Sequence, residues 1–362
     1  MPIHSTPTVW LLLGDKLGDN AQVETIAEAM RWPVETKRLA FLEKYRTGKP
    51  PFRADLYHLD REQSASLLPP WPDLIITIGR RPSMVACWIQ DQSRGKTKIV
   101  LVGRPKRDVE RFDLVIAPPQ FDLPDRSNVM SLSLPLMRVD ETAIAAAANS
   151  WRERLADRPR PITAVLVGGP TKPYRLDRGV ALDIVAGAER ILARDGGSLY
   201  VSTSRRTPPE VSRTLRERLP AGSAIFVWGE DGDNPYRALL GLADQFVVTG
   251  DSISMMVEVA RLGRPLAIYS LPTQPTLGDR FKAMAAKRLH NRNGALVARM
   301  TDRLLSKGYL GFARDLGGVH RSLIKAGLAV PFGDPFLPVN CQAPDELAAV
   351  VERVEGLFAK PH

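Results

Sequence analysis

Val247-Val248-Thr249-Gly250-Asp251-Ser252-Ile253-Ser254-Met255-Met256-Val257-Glu258 is the stretch on which the fold turns. A run of β-branched residues stops at a glycine, a short hydroxyl-rich turn follows, and an apolar helical period begins. This pattern predicts a strand over residues 245–249 and a helix over 254–262. The free backbone N–H groups at that helix N-terminus, with the hydroxyls of Ser252 and Ser254 beside them, suit phosphate oxygens. Glu258 lies one helical turn beyond Ser254, where its carboxylate can accept hydrogen bonds from vicinal ribose or sugar hydroxyls. The plainer alternative is a capped helix, with Asp251 or Ser252 at the N-cap and Glu258 on a solvated face.

Working outward, the same strand–turn–helix cycle recurs. Residues 162–167 read as a strand that runs into Gly168-Gly169-Pro170, with Arg175 nearby, and 178–195 as the helix after it. Residues 198–202 form a second strand ending at Thr203-Ser204-Arg205-Arg206-Thr207. Its adjacent arginines can clamp a diphosphate by charge-assisted hydrogen bonds, or simply sit in solvent. A third strand, 224–228, leads through Trp228-Gly229 to Asn234-Pro235-Tyr236. There a flat base can lie against an aromatic edge, unless Trp228 belongs to the core. A further strand is expected at 266–269.

The first half repeats the plan. A strand over 8–13 closes on Gly14-Asp15-Lys16-Leu17-Gly18-Asp19-Asn20, with a helix expected over 21–30. More strands are expected at 34–39, 74–78, 98–102 and 114–117, and helices at 81–92 and 141–155. The opening loop has neither P-loop nor GxGxxG spacing, which argues against mononucleotide-kinase and NAD chemistry. Asp15 and Asp19 are carboxylates placed to take a proton from an acceptor hydroxyl, the task of a general base; helix capping by Asp19 or Asn20 is the plainer alternative. Gly79-Arg80-Arg81-Pro82 ends another strand, and its arginines can face an anionic acceptor, close over donor phosphates or cap the sheet edge. The proline-bearing stretch 157–161 interrupts the pattern as a linker does. The expected division is therefore a first α/β domain over 1–157, a second over 162–330, and a proline-rich linker with an amphipathic helix over 331–362 that crosses back onto the first. Alternating strands and helices of this kind form parallel sheets, which bind ligands beyond the carboxyl ends of their strands.

The whole chain has 362 residues, 44% hydrophobic and 25% charged, with a net charge of +10. That length favours two domains. The charge favours an anionic partner such as a nucleotide diphosphate or an anionic lipid surface. Cys87 and Cys341 offer no disulfide framework, and the five histidines form no metal motif. No apolar run is long enough to span a bilayer, and residues 1–8 lack the regions of a signal peptide, so a cytoplasmic protein is expected. Residues 280–307 carry eight Lys or Arg against one acid, Asp302, with apolar residues interleaved. They read as a solvated basic face or as a peripheral contact with an anionic membrane. No RNA-binding signature is present, so nucleic acid is not an expected partner.

As an ordered set, Gly14-Asp15-Lys16, Gly18-Asp19-Asn20-Ala21-Gln22, Gly79-Arg80-Arg81, Phe112-Asp113-Leu114-Val115, Val167-Gly168-Gly169-Pro170, Thr203-Ser204-Arg205-Arg206-Thr207 and Thr249-Gly250-Asp251-Ser252-Ile253-Ser254-Met255 resemble the mitochondrial-fission Elm-type family. Its bacterial members are considered glycosyltransferases of the GT-B fold. The resemblance implies two Rossmann-like domains facing a cleft and a nucleotide-diphosphate sugar as substrate, with no metal and no separate cofactor. It places the donor against Gly168, Gly169, Ser204, Arg205, Arg206, Trp228, Asp251, Ser252, Ser254, Met255 and Glu258. The acceptor side is formed by Gly14, Lys16, Asn20, Arg80 and Arg81, with Asp19 or Asp15 as base. Some relatives of that fold carry a histidine in the first glycine-rich loop, where this chain has the two aspartates. Plant members are linked to recruiting a dynamin-type division protein, which leaves a non-catalytic, membrane-associated adaptor as the alternative function. A lipid-linked or lipopolysaccharide acceptor at the cell envelope fits the transferase reading.

Overall fold

The computed structural model describes residues 6–46, 50–121, 123, 125–274, 315–338 and 342–359. The chain divides into two compact units. One holds the described residues up to Arg138, Asp315 and those from Asp345 onward; the other holds the described residues from 139 to 274 and from Leu316 to Pro344. The boundary thus falls before the helix over 141–155, not in the proline stretch at 157–161, and residues 331–338 stay with the second unit.

In the first unit, β1 (Val9–Leu13), α1 (Leu17–Ala29) and β2 (Val34–Arg38) are followed by a two-stranded antiparallel hairpin, β3 (Ala40–Phe41) and β4 (Leu59–Asp60), with α2 (Glu43–Arg46) between them. Then come β5 (Leu74–Ile78), α3 (Arg80–Gln92), β6 (Lys98–Val102), β7 (Leu114–Ala117) and β8 (Val129–Ser131). The parallel sheet runs β2-β1-β5-β6-β7-β8, with Val9 opposite Leu74 on one side and Val34 on the other. Val-Trp-Leu-Leu-Leu in β1 and Leu-Ile-Ile-Thr-Ile in β5 are buried throughout. Such buried strands, apolar except for Thr77, whose hydroxyl donates to the Leu12 carbonyl, arise where both faces of a parallel sheet are covered. Trp10, Leu12 and Ile75 pack on one face with Met84 and Val85 of α3; Leu11, Leu13 and Ile76 pack on the other with Val23 and Ile26 of α1.

The second unit contains α4 (Glu141–Leu155), β9 (Ile162–Val167), α5 (Arg178–Asp195), β10 (Ser198–Thr203), α6 (Pro209–Arg218), β11 (Ala224–Phe226) and α7 (Tyr236–Leu242). It continues with β12 (Gln245–Thr249), α8 (Ile253–Arg261), β13 (Leu266–Tyr269), α9 (Gly317–Lys325) and β14 (Val330–Pro331). Its sheet is parallel in the order β11-β10-β9-β12-β13-β14. Helix α4 lies against α7 so closely that a Cβ on Gly241 would stand 2.9 Å from Ala148 Cβ, which ties α4 to this unit.

The last helix, α10 (Leu347–Glu355), belongs to the first unit. Val350 and Val354 are fully buried in the same cluster as Val23 and Ile26. Phe358 meets Trp32 edge-on at 5.3 Å between ring centroids. Among the described residues no helix is long and apolar enough to cross a membrane, and no group of three or more His, Cys, Asp or Glu side chains is arranged to hold a metal. The basic stretch 280–307 and Cys341 lie outside the described residues. The fold is thus α/β with two Rossmann-like units, as the strand and helix spacing predicts.

Candidate functional site

Each sheet reverses its strand order once: between β9 and β12 in the second unit, and between β1 and β5 in the first. Loops leaving adjacent strands part at such a point and open a crevice at the carboxyl ends. In the second unit these are the loops after β9 and β12, with the loop after β10 alongside.

Those three loops are bound into one body. Gly168 N–H donates to Thr249 Oγ1 at 2.8 Å, and Gly169 N–H to Asp251 Oδ2 at 2.8 Å. Thr207 Oγ1 donates to the Gly168 carbonyl at 2.6 Å and accepts from Ser204 N–H at 2.9 Å. The glycines are needed for close approach. A Cβ on Gly168 would stand 2.1 Å from Ser252 Oγ and 2.2 Å from Asp251 Oδ2; one on Gly169 would stand 2.3 Å from Arg206 Cβ.

Asp251 has no exposed side-chain surface. Its Oδ2 accepts from Ser252 Oγ at 3.1 Å and lies 3.9 Å from Arg206 Nη2, while burial raises its carboxyl above the ordinary carboxylate range. The side chain is turned inward and holds the loops together. Ser252 occupies the N-cap position of α8 but makes no side-chain cap bond, since its hydroxyl is given to Asp251. The first intrahelical amide is Met256 N–H, donating to the Ser252 carbonyl at 3.1 Å. The N–H groups of Ile253, Ser254 and Met255 therefore point out of the helix end without an intrahelical acceptor. Ser254 is exposed and Met255 half-buried. Ser252 thus takes the N-cap position of the plainer alternative without capping through its side chain, and Glu258 is half-buried rather than on a solvated face.

Glu258 is half-buried on α8, and Tyr236 Oη donates to its Oε2 at 2.6 Å. Burial pushes the Glu258 carboxyl up, and burial beside Glu258 pushes the Tyr236 phenol well above its usual value. Trp228 is 45% exposed, so it is not the core residue of the plainer reading, and its N–H is anchored on Thr203 Oγ1 at 3.0 Å. Arg205 is exposed; Arg206 also bonds Thr171 Oγ1 at 3.1 Å. His320 of α9 is buried beneath the turn, donating from Nε2 to the Gly250 carbonyl at 2.7 Å and stacking on Tyr174. Sequence reading placed Tyr236 only as an aromatic edge for a base, not as a partner of Glu258, and counted His320 only among histidines that form no metal motif. The tyrosine directly after Asn234-Pro235, at the start of a helix, was the one available signal.

In the first unit, α1 begins at Leu17 rather than at residue 21, so Asp19 and Asn20 lie in its first turn and Lys16 is the N-cap, without a side-chain cap bond. Asn20 is buried and clasps Gly14 from both sides: Gly14 N–H donates to Oδ1 at 3.2 Å and Nδ2 donates to the Gly14 carbonyl at 2.9 Å. Neither aspartate is an N-cap. Lys16 Nζ is 3.9 Å from Asp19 Oδ2, and that oxygen is 4.0 Å from where a Cβ on Gly79 would sit.

Arg81 is consumed by the scaffold. Its Nη1 pairs with Asp15 at 3.3 Å, its Nη2 donates to the Arg46 carbonyl, and its guanidinium lies over Phe41. Its own carbonyl accepts from Nε2 of the fully buried His58 at 3.1 Å. Arg80, next to it, is half-buried and has no hydrogen-bonded or ion-paired side-chain partner among the described residues.

A strand-order reversal lined by a glycine pair, an arginine-bearing loop and an uncapped helix turn defines a doubly wound α/β protein with a crevice at the carboxyl ends of the strands in its second unit. The chain belongs to the family described as Mitochondrial fission ELM1, whose model matches residues 18–305. It is 26% identical over 219 residues to the Arabidopsis thaliana mitochondrial fission protein ELM1, a match that covers 54% of this chain and 51% of that relative's length. It is 25% identical over 302 residues to an uncharacterized protein of Rickettsia prowazekii, covering 73% of this chain and 83% of the other. Among solved structures it is similar to the Methanocaldococcus jannaschii UDP-GlcNAc 2-epimerase in complex with UDP-GlcNAc and UDP (11% identity, TM-score 0.44, 98% of this chain and 93% of that one). A second is the E. coli ADP-heptose lps heptosyltransferase II (12% identity, TM-score 0.40, 75% and 86%).

Proposed function

We propose that the chain is a glycosyltransferase that takes a sugar from a nucleotide diphosphate, without a metal or separate cofactor, and passes it to an acceptor hydroxyl. The observation that carries this reading is the uncapped turn of α8, with three outward N–H groups at the strand-order reversal and Glu258 one turn further on. In this reading the N–H groups of Ile253, Ser254 and Met255 hold the diphosphate, and Gly168 and Gly169 let it approach the backbone closely. Glu258 takes the ribose hydroxyls, and the exposed ring of Trp228 lies along the base. As the anomeric C–O bond breaks, its electron pair leaves on the diphosphate, where Arg205 and Arg206 neutralise the growing charge. The acceptor oxygen attacks the anomeric carbon and gives its proton to Asp19. Asp15 is the lesser candidate because Arg81 already holds it.

A cytoplasmic enzyme acting on a cell-envelope or lipopolysaccharide acceptor, at the inner face of a membrane, completes the reading. A non-catalytic adaptor of the fission type is the second reading, to which the family's description lends only weak support. Nucleotide binding separates them. A thermal-shift panel of UDP-, GDP-, ADP- and CMP-sugars, with and without EDTA, should give one nucleotide-selective, EDTA-insensitive rise in melting temperature. Glu258→Ala should lose most of that rise while its unliganded melting stays cooperative. A flat panel would transfer the weight to the adaptor.

A further inference from the structure

We infer that Arg80 is the anchor of an anion site in the first unit, and that the acceptor presents a phosphate monoester to it. This inference rests on the transferase reading for the word acceptor, but not for the site itself.

The argument starts from a contrast between neighbours. Arg81 spends its charge within the protein, on Asp15, the Arg46 carbonyl and the Phe41 ring. Arg80 follows Gly79 at the carboxyl end of β5, on the edge of the strand-order reversal, and among the described residues has no acidic side chain paired with it. Its Nε is buried without an acceptor, so the stem and the root of the guanidinium are fixed by packing. Its two terminal nitrogens are not among the buried unpartnered atoms and have no hydrogen-bond or ion-pair partner among the described residues. A cation held in place with its donor fork open is preorganised for a tetrahedral or planar anion. Burial disfavours the guanidinium's charged form; the nearby Tyr57 offsets part of this and the Arg81 charge adds to it. An arriving anion would relieve that penalty.

The rest of the pocket edge suits a phosphate in particular. The free N–H groups of Arg80 and Arg81 open α3, whose N-cap is Gly79 with φ of 84° and no side-chain cap. Asp19 Oδ2 comes within 4.0 Å of Gly79's missing Cβ, so the proposed base stands one residue from the cation. A phosphate on Arg80 would then bring a hydroxyl of the same molecule to that carboxylate. Such a phosphate is borne either by a soluble molecule or by a lipid headgroup.

The test uses the full chain and two probes. Phenyl phosphate is titrated calorimetrically in the presence of UDP, and sedimentation is measured with phosphatidylcholine vesicles with and without phosphatidic acid. Wild type should bind phenyl phosphate; Arg80→Gln should weaken that binding about tenfold or more, and Arg80→Lys less. Binding confined to phosphatidic acid vesicles, and lost in Arg80→Gln, would support the site and assign it to a lipid-borne phosphate. Equal binding by wild type and Arg80→Gln, or no binding to either probe, would overturn it. Failure of the transferase reading appears separately, as an absence of any UDP heat in wild type, and leaves the comparison of Arg80 variants intact.

Discussion

The Tyr236 hydroxyl donates a 2.6 Å hydrogen bond to Oε2 of Glu258, joining the first residue of α7 to the middle of α8. One carboxylate oxygen is thereby fixed and the other left for a ligand. Tyr236→Phe removes the hydroxyl and little else. Donor affinity should fall about three- to tenfold, the size of one hydrogen bond. Preference for a ribonucleotide over its 2′-deoxy analogue should shrink with it. Calorimetry on both nucleotides checks this, and an unchanged ratio would show that Tyr236 does not orient Glu258.

Burial raises the Glu258 carboxyl above its model-compound value of 4.5. Only the ionised form keeps the oxygen left by Tyr236 as a charged acceptor for ribose hydroxyls, so donor affinity should fall as pH drops from neutrality toward 4.5. The effect on stability has the opposite sign. A raised folded pKa means that the native state holds the proton more tightly, so this group's contribution is full below 4.5 and is lost as pH rises through the folded value. Glu258→Gln should flatten both profiles, measured by nucleotide titration and by thermal melts.

Gly168→Ala should damage the crevice from inside. Its new Cβ would fall 2.1 Å from Ser252 Oγ and 2.2 Å from Asp251 Oδ2. Relief requires the β9 and β12 loops to part, at about 1–3 kcal/mol for an overpacked site. A lower melting temperature and loss of donor binding should appear together; a variant that melts and binds like wild type would remove the glycine pair from the argument.

Cys87 is fully buried in α3, and burial pushes its thiol from 9.0 up to about 11. In a Cys341→Ser background, alkylation by iodoacetamide at pH 9.0 should be slow in the native protein and fast in denaturant. The linked stability is present below 9.0 and lost as pH rises through about 11. Rapid native labelling would mean that α3 opens readily.

The strands were legible because burial on both sheet faces writes itself as unbroken apolar runs, as in Val9–Leu13 and Leu114–Ala117. The turn at Gly250 was legible for the same reason, since a β-branched strand halts there and a helix follows. What escaped were relations between distant residues. Asn20 looked like a helix cap, but its amide closes on Gly14, a use visible only once the loop has folded. The prolines at 157–161 looked like the domain boundary, whereas Ile144 and Ala148 of α4 pack on Gly241, nearly a hundred residues later. The stretch from Trp228 to Tyr236 read as a base-binding segment without a helix of its own, although Tyr236 opens a helix of 7 residues. Arg80 and Arg81 read as equivalent; only the partners of each guanidinium tell them apart.

Helix α10 also bears on the order in which the protein can be completed. The face of the first sheet covered by α1 needs Val350 and Val354 to fill its core, yet these residues leave the ribosome only after the entire second unit has been made. The unit that begins the chain is therefore among the last parts to be sealed. Until then a nascent chain carries an open apolar seam, and a stalled or clipped product ending before Asp345 would carry it permanently, as a handle for chaperones and proteases.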